Sequence, residues 1–248
     1  MKKFFFRFDA LSFNWRFGLA LILLFGIPRF LIVLEANRTG NYNFTSIIFV
    51  IMALSPFLLL HKEGRRAIGL LKPKNAVWLL KSFALGIFIC TLIFMLGKFL
   101  YGASINNWFV YVSKSYQSIP VEELKGSNRS LYFVMFAIIG MTFSPVGEEL
   151  LYRGLIHQSF VPAFGNNKAS IIDSLAFSLV HLAHFGIVYS DGVFEILIVP
   201  SILWIILMFL TSRLFFYCKT KTGSIYGAIA GHAGFNLAMT YFIFYHLL

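Results

Sequence analysis

LYFVMFAIIGMTFSPVGEELLYRG, residues 131–154, decides how the rest of the chain is read. No charge interrupts it before Glu148, and then Glu148, Glu149 and Arg153 arrive together. A run this apolar approaches the roughly 20 residues that a helix needs to cross a bilayer. One ionised side chain at mid-bilayer costs roughly 2.5–3.5 kcal/mol on insertion scales. Three of them call for partners elsewhere in the chain, and for a use.

Composition places that segment in a membrane. The 248-residue chain is 58% hydrophobic and 12% charged, where a soluble domain carries about a quarter charged residues. The chain reads as one compact integral membrane domain. Its net charge of +11 does not point to nucleic acid, because the basic residues fall between apolar runs, not along one aromatic-lined face. Cys90 and Cys218 lie far apart in apolar stretches and suggest neither a disulfide framework nor a cysteine metal site. MKKFFFRFDALSFNWRF, at the start, mixes aromatic and basic residues as an interfacial segment does.

Apolar runs predict an all-α polytopic bundle of about seven spans: 17–34, 44–60, 76–100, 131–151, 170–188, 193–212 and 223–246. Pro28 and Arg29 interrupt the first, Pro145 disturbs the fourth and Pro200 kinks the sixth. Residues 1–130 then hold the interfacial segment and three spans, and 131–248 a core formed by the last four. The connections 61–75 and 213–222 are strongly basic, and Lys2, Lys3, Arg7 and Arg16 precede the first span. The positive-inside rule puts these on the cytoplasmic side, with the C-terminus outside and the location a cell membrane.

Polar groups on three spans are expected to converge in the cytoplasmic half of the bilayer. At 1.5 Å per residue, Glu148 lies about 25 Å from the outer end of its span, and His181 and His232 about 16 and 14 Å from the inner surface. Glu149 and Arg153 are four apart and can pair, which leaves Glu148 to face another neighbour. Phe177 with His181, and His232 with Asn236, repeat that interval. Gly223, Gly227 and Gly231 form a ridge for close packing. His184 and His246 read as interhelical hydrogen-bonding residues, His61 and His157 as interfacial, and Lys168 and Asp173 as solvated near the inner surface.

EELLYR (Glu148, Glu149, Arg153), FSLVH (Phe177, His181) and HAGFN (His232, Asn236), in that order, resemble the EExxxR, FxxxH and HxxxN motifs of the CPBP family. This family joins type II CAAX prenyl endopeptidases with bacteriocin-processing and immunity relatives. The resemblance covers about residues 131–246. It implies a membrane endopeptidase with Glu148 as the main catalytic group, assisted by His181, His232 and Asn236, and with Glu149 and Arg153 holding the site in shape. It equally implies peptide or protein substrates, lipidated or not, and sets no oligomeric state.

The residue types agree with hydrolysis. A shielded carboxylate can activate water, His181 can share it, and His232 and Asn236 can donate to the oxyanion. Zinc held by Glu148, His181 and His232 is the metal alternative, without an HExxH motif to support it. A non-catalytic immunity or peptide-binding protein could keep the same cluster. A coupled transporter fits less well, because its polar groups would continue to the outer face.

Overall fold

The computed structural model describes residues 5–8, 11–42, 44–116 and 119–248. Lys2 and Lys3 of the expected interfacial segment lie outside the described residues. The chain is 78% helical, which makes it an almost all-α membrane protein.

Helix α1 (Trp15–Thr39) starts where Asn14 accepts a hydrogen bond from Phe17 N–H at 3.0 Å and stops at Gly40, in the left-handed region at φ 72°. There follow α2 (Thr45–Leu59), a short α3 (Lys62–Ala67), α4 (Val77–Tyr101), and short α5 (Trp108–Ser113) and α6 (Val121–Lys125). Helix α7 (Arg129–Glu149) passes into a π-helical turn (Leu150–Ile156) and then α8 (His157–Val180). A β-hairpin pairs β1 (Ile187–Ser190) with β2 (Val193–Ile196), and α9 (Ile198–Thr222) and α10 (Ile225–Phe242) complete the bundle.

Apolar side chains such as Leu24, Phe99, Val134 and Ile198 are exposed around the outside. A soluble protein rarely shows so many contiguous apolar groups to water, and a bilayer covers them here. Four helical stretches are long and apolar enough to cross: Trp15–Thr39, Val77–Tyr101, Arg129–Ala183 and Ile198–Thr222. The third is not a straight rod. Gly165 breaks it at φ 71°, ψ 168°, a conformation that other residues rarely adopt. Helix α2, at 15 residues, extends about 22 Å, short of a hydrocarbon core of ~30 Å.

The expected spans 170–188 and 193–212 need correction. Helix α8 stops at Val180, and residues 187–196 form the hairpin instead of helix ends. Its two-residue turn is Asp191–Gly192, with φ of 51° and 85°, the conformation in which a DG pair joins antiparallel strands. Helix α9 therefore begins later than expected and runs on to Thr222.

Helix α10 packs against α4, α7 and α9, while α1 lies on α8 and α2 on α7. Missing side chains permit the tightest of these contacts. A Cβ on Gly86 would run into the Gly231 carbonyl, and one on Gly234 into the Phe83 carbonyl. The glycine ridge thus serves α4 through Gly231 and α9 through Gly227, which abuts the Cys218 carbonyl. Backbone atoms cannot rotate aside, so Gly86→Ala should destabilise the bundle by about 1–3 kcal/mol, the usual range for overpacking. Thermal unfolding in detergent measures this, and an unchanged midpoint would mean that α4 and α10 do not touch there.

Candidate active site

The adjacent carboxylates at the end of α7 are both fully buried, and they serve different neighbours. Glu149 Oε1 accepts from Arg153 Nη1 at 3.0 Å and meets His232 Nδ1 at 2.8 Å. Arg153 also donates through Nη2 to Ser212 Oγ at 2.6 Å. Its guanidinium carbon lies 4.3 Å from the centre of the Phe177 ring, and His232 stacks on Phe215 at 4.8 Å. Lys219 Nζ donates to the Arg153 carbonyl at 2.5 Å. This half of the site pairs Glu149 with Arg153 and His232, and leaves Glu149 Oε2 and Arg153 Nε buried without a hydrogen bond.

Glu148 faces the other way. Its Oε1 accepts from Arg29 Nη2 at 2.7 Å and from Ser144 Oγ at 3.1 Å. Its Oε2 is buried without a protein hydrogen bond and lies 3.8 Å from His181 Nε2. His181 Nδ1 sits 2.6 Å from the Phe177 carbonyl, which can only accept, so Nδ1 carries a hydrogen. In the neutral ring the lone pair is therefore on Nε2, directed at Glu148 and Arg29. Trp204 Nε1 donates to the His181 carbonyl at 3.0 Å and steadies that turn.

A cavity of about 180 Å³ opens beside these groups. Its wall includes Arg29, Glu148, His181, His184, His232 and Asn236, with Phe177, Phe215 and Trp204 as apolar surface. Its surface is mostly apolar with a few polar groups, and it is roomy enough for several waters, since one needs about 10–15 Å³ of such space. Asn236 Nδ2 donates to the Gly140 carbonyl at 2.8 Å, which leaves its second N–H for another acceptor.

The structure brings all four expected catalytic residues to one cavity wall, with Phe177 between His181 and Arg153. It does not join them into one hydrogen-bonded set, because His232 belongs to Glu149 and not to Glu148. The cavity lining draws on Phe215 of the basic 213–222 stretch, on Val112 of the 102–128 connection and on Phe49 near the start of α2. Helix α8 resumes after the break at Gly165, and His181 follows its far end.

Sequence reading missed two residues of this site. Arg29 looked like an interruption of a span, and His184 like an ordinary hydrogen-bonding histidine, yet His184 Nε2 is 3.3 Å from Arg29 Nη2. His157 and Asp173 also need correction: neither is solvated, and His157 Nδ1 meets Asp173 Oδ2 at 2.7 Å in a buried pair. The break at Gly165 folds the two halves of α8 so that these distant positions meet.

Zinc on Glu148, His181 and His232 does not fit this arrangement. Arg29 Nη2 stands 2.7 Å from Glu148 Oε1 and 3.5 Å from His181 Nε2, where a cation would sit, and His232 Nδ1 is held by Glu149. Among the described residues, no three His, Cys, Asp or Glu side chains gather in a metal-binding group.

A helical membrane protein with carboxylates, imidazoles and guanidinium groups around an internal cavity has the makings of an intramembrane enzyme. Residues 130–238 match the family model described as Type II CAAX prenyl endopeptidase Rce1-like, so this segment is similar to a protease family. The match spans the region in which the three motifs resemble the CPBP family. It does not reach Arg29 or Phe49. No curated protein and no solved structure matches the chain.

Proposed function

We propose that the protein is an intramembrane endopeptidase that hydrolyses a peptide bond of a membrane-associated peptide or protein, using water held between Glu148 and His181. The observation that carries this reading is the pair of atoms Glu148 Oε2 and His181 Nε2, 3.8 Å apart at the cavity wall. One water can bridge a gap of that size with a hydrogen bond to each. As its oxygen attacks the carbonyl carbon, its proton passes to Glu148 or His181, and the carbonyl π-electrons move onto oxygen. The free N–H of Asn236 is available to that oxyanion, as is His232 Nε2 when the ring is protonated against Glu149. Collapse of the tetrahedral intermediate breaks the C–N bond, and the proton held by the base goes to the leaving amine.

In this reading the chain crosses the membrane seven times, with α2 tilted shallow or locally thinning the bilayer. The basic connections face the cytoplasm, and the cavity is entered from that side. Cysteines at Lys74 and at Ser104 separate the arrangements. A membrane-impermeant thiol reagent applied to intact cells should label position 104 and spare position 74; the reverse pattern overturns the orientation.

The non-catalytic binding reading stays the alternative, and the protease family match does not favour it. Purified protein in liposomes, offered a peptide library, should release fragments when wild type and not when Glu148→Gln. Cleavage by neither would favour the binding protein.

A further inference from the structure

We propose that the outer edge of strand β2 is a docking site for an extended segment of the peptide substrate, which it takes up as a third strand. The hairpin register fixes which groups that edge presents. Leu197 N–H donates to the Gly186 carbonyl at 3.0 Å, and the pairs Val188–Glu195 and Ser190–Val193 follow in the same inward phase. The residues between them turn their backbone groups outward. On β1 that side is closed, because Tyr189 N–H donates to the Tyr111 hydroxyl of α5 at 2.7 Å. On β2 the N–H and C=O groups of Phe194 and Ile196 face outward, and among the described residues nothing pairs with them. Donors and acceptors alternating along one open edge match the backbone of an extended chain.

The hairpin is firm where it joins the bundle and bare along that edge. Val188 is fully buried, and β1 packs on α1 and on the His181–Ala183 turn. All four side chains of β2 are exposed, Ile196 at 67%. Proline, lysine and bulges are the devices that blunt an edge strand, and β2 has none of them. Cavity-lining residues bound the hairpin on both sides, His184 three positions before β1 and Trp204 eight positions after β2. A strand added to β2 thus joins the piece of chain that carries His181 and His184. The charges of the hairpin are Asp191 and Glu195, with no Lys or Arg between residues 185 and 200. The edge therefore favours a strand with a basic side chain opposite Glu195. That the strand belongs to a substrate rests on the endopeptidase reading; that the edge pairs with an extended peptide does not.

Full-length protein in detergent is titrated against a fluorescent peptide of about eight residues, alternating valine and threonine with one central lysine, and anisotropy reads binding. N-methylation at every second peptide residue should weaken binding roughly tenfold, and at the intervening residues hardly at all, because one set of N–H groups faces β2. Phe194→Pro and Ile196→Pro each remove an edge donor and should weaken it by a similar factor. Ile196→Thr keeps the N–H and should bind as wild type does. If the proline variants do not fold, the N-methyl series on wild type decides alone. Glu195→Lys should reverse the preference for lysine over glutamate in the peptide. No binding by wild type, an N-methyl profile without alternation, or full binding by folded Ile196→Pro overturns the proposal. A wild type that dimerises, and becomes monomeric with Ile196→Pro, assigns the edge to a second copy and overturns it too. Library cleavage by wild type alongside any of these failures leaves the endopeptidase reading standing. Alternating binding without cleavage of any peptide keeps the edge site and removes its substrate.

Discussion

Glu148→Gln in liposomes, normalised for folded protein, should cleave substrate roughly 10²–10⁴-fold more slowly than wild type, the span typical of losing a positioned general base. Glutamine keeps the shape and one acceptor oxygen, so it can still meet Arg29 and Ser144. It has no charge with which to take the water proton, and it leaves Arg29 without its counter-ion. Some loss of folded yield is therefore expected alongside the loss of turnover. Glu148→Asp separates the two effects: it retains the charge beside Arg29 and so should recover yield, while the shorter side chain withdraws from His181. Near-normal cleavage by folded Glu148→Gln would remove Glu148 from the chemistry.

Arg153→Ala should act on stability first. Its guanidinium neutralises Glu149, donates to Ser212 and lies against Phe177 and Phe215, with no exposure to solvent. Removing one member of a buried pair costs about 3–5 kcal/mol, because the remaining charge is stranded. His232 stays 2.8 Å from Glu149 as a remaining hydrogen-bond partner. Arg153→Lys keeps the charge without the fork and should lose less. Folded yield and thermal midpoint in detergent read both variants, and a midpoint for Arg153→Ala equal to wild type would show that Glu149 needs no partner there.

Local features were legible in the sequence, and long-range pairings were not. Apolar runs located the helices, and four-residue spacing sufficed to pair Glu149 with Arg153, because one helix carries both. Arg29 escaped notice since its carboxylate lies 119 positions away and no periodicity connects them. The Asp191–Gly192 turn was visible in principle: DG between apolar residues is a strong hairpin signal. It was overridden because Val, Ile and Phe serve a buried strand and a span equally well. Counting from the edge of an apolar run assumes a straight helix, and the break at Gly165 moves the starting point.

The distance between Arg29 and Glu148 along the chain also has a meaning in time. A ribosome adding about 5–20 residues per second needs roughly 6–24 s to make the 119 positions that separate them. Through that interval the nascent first span carries a guanidinium whose carboxylate has not yet been synthesised, at an insertion penalty of roughly 2.5–3.5 kcal/mol. The ion pair at the heart of the site can therefore form only after more than half of the chain has been made.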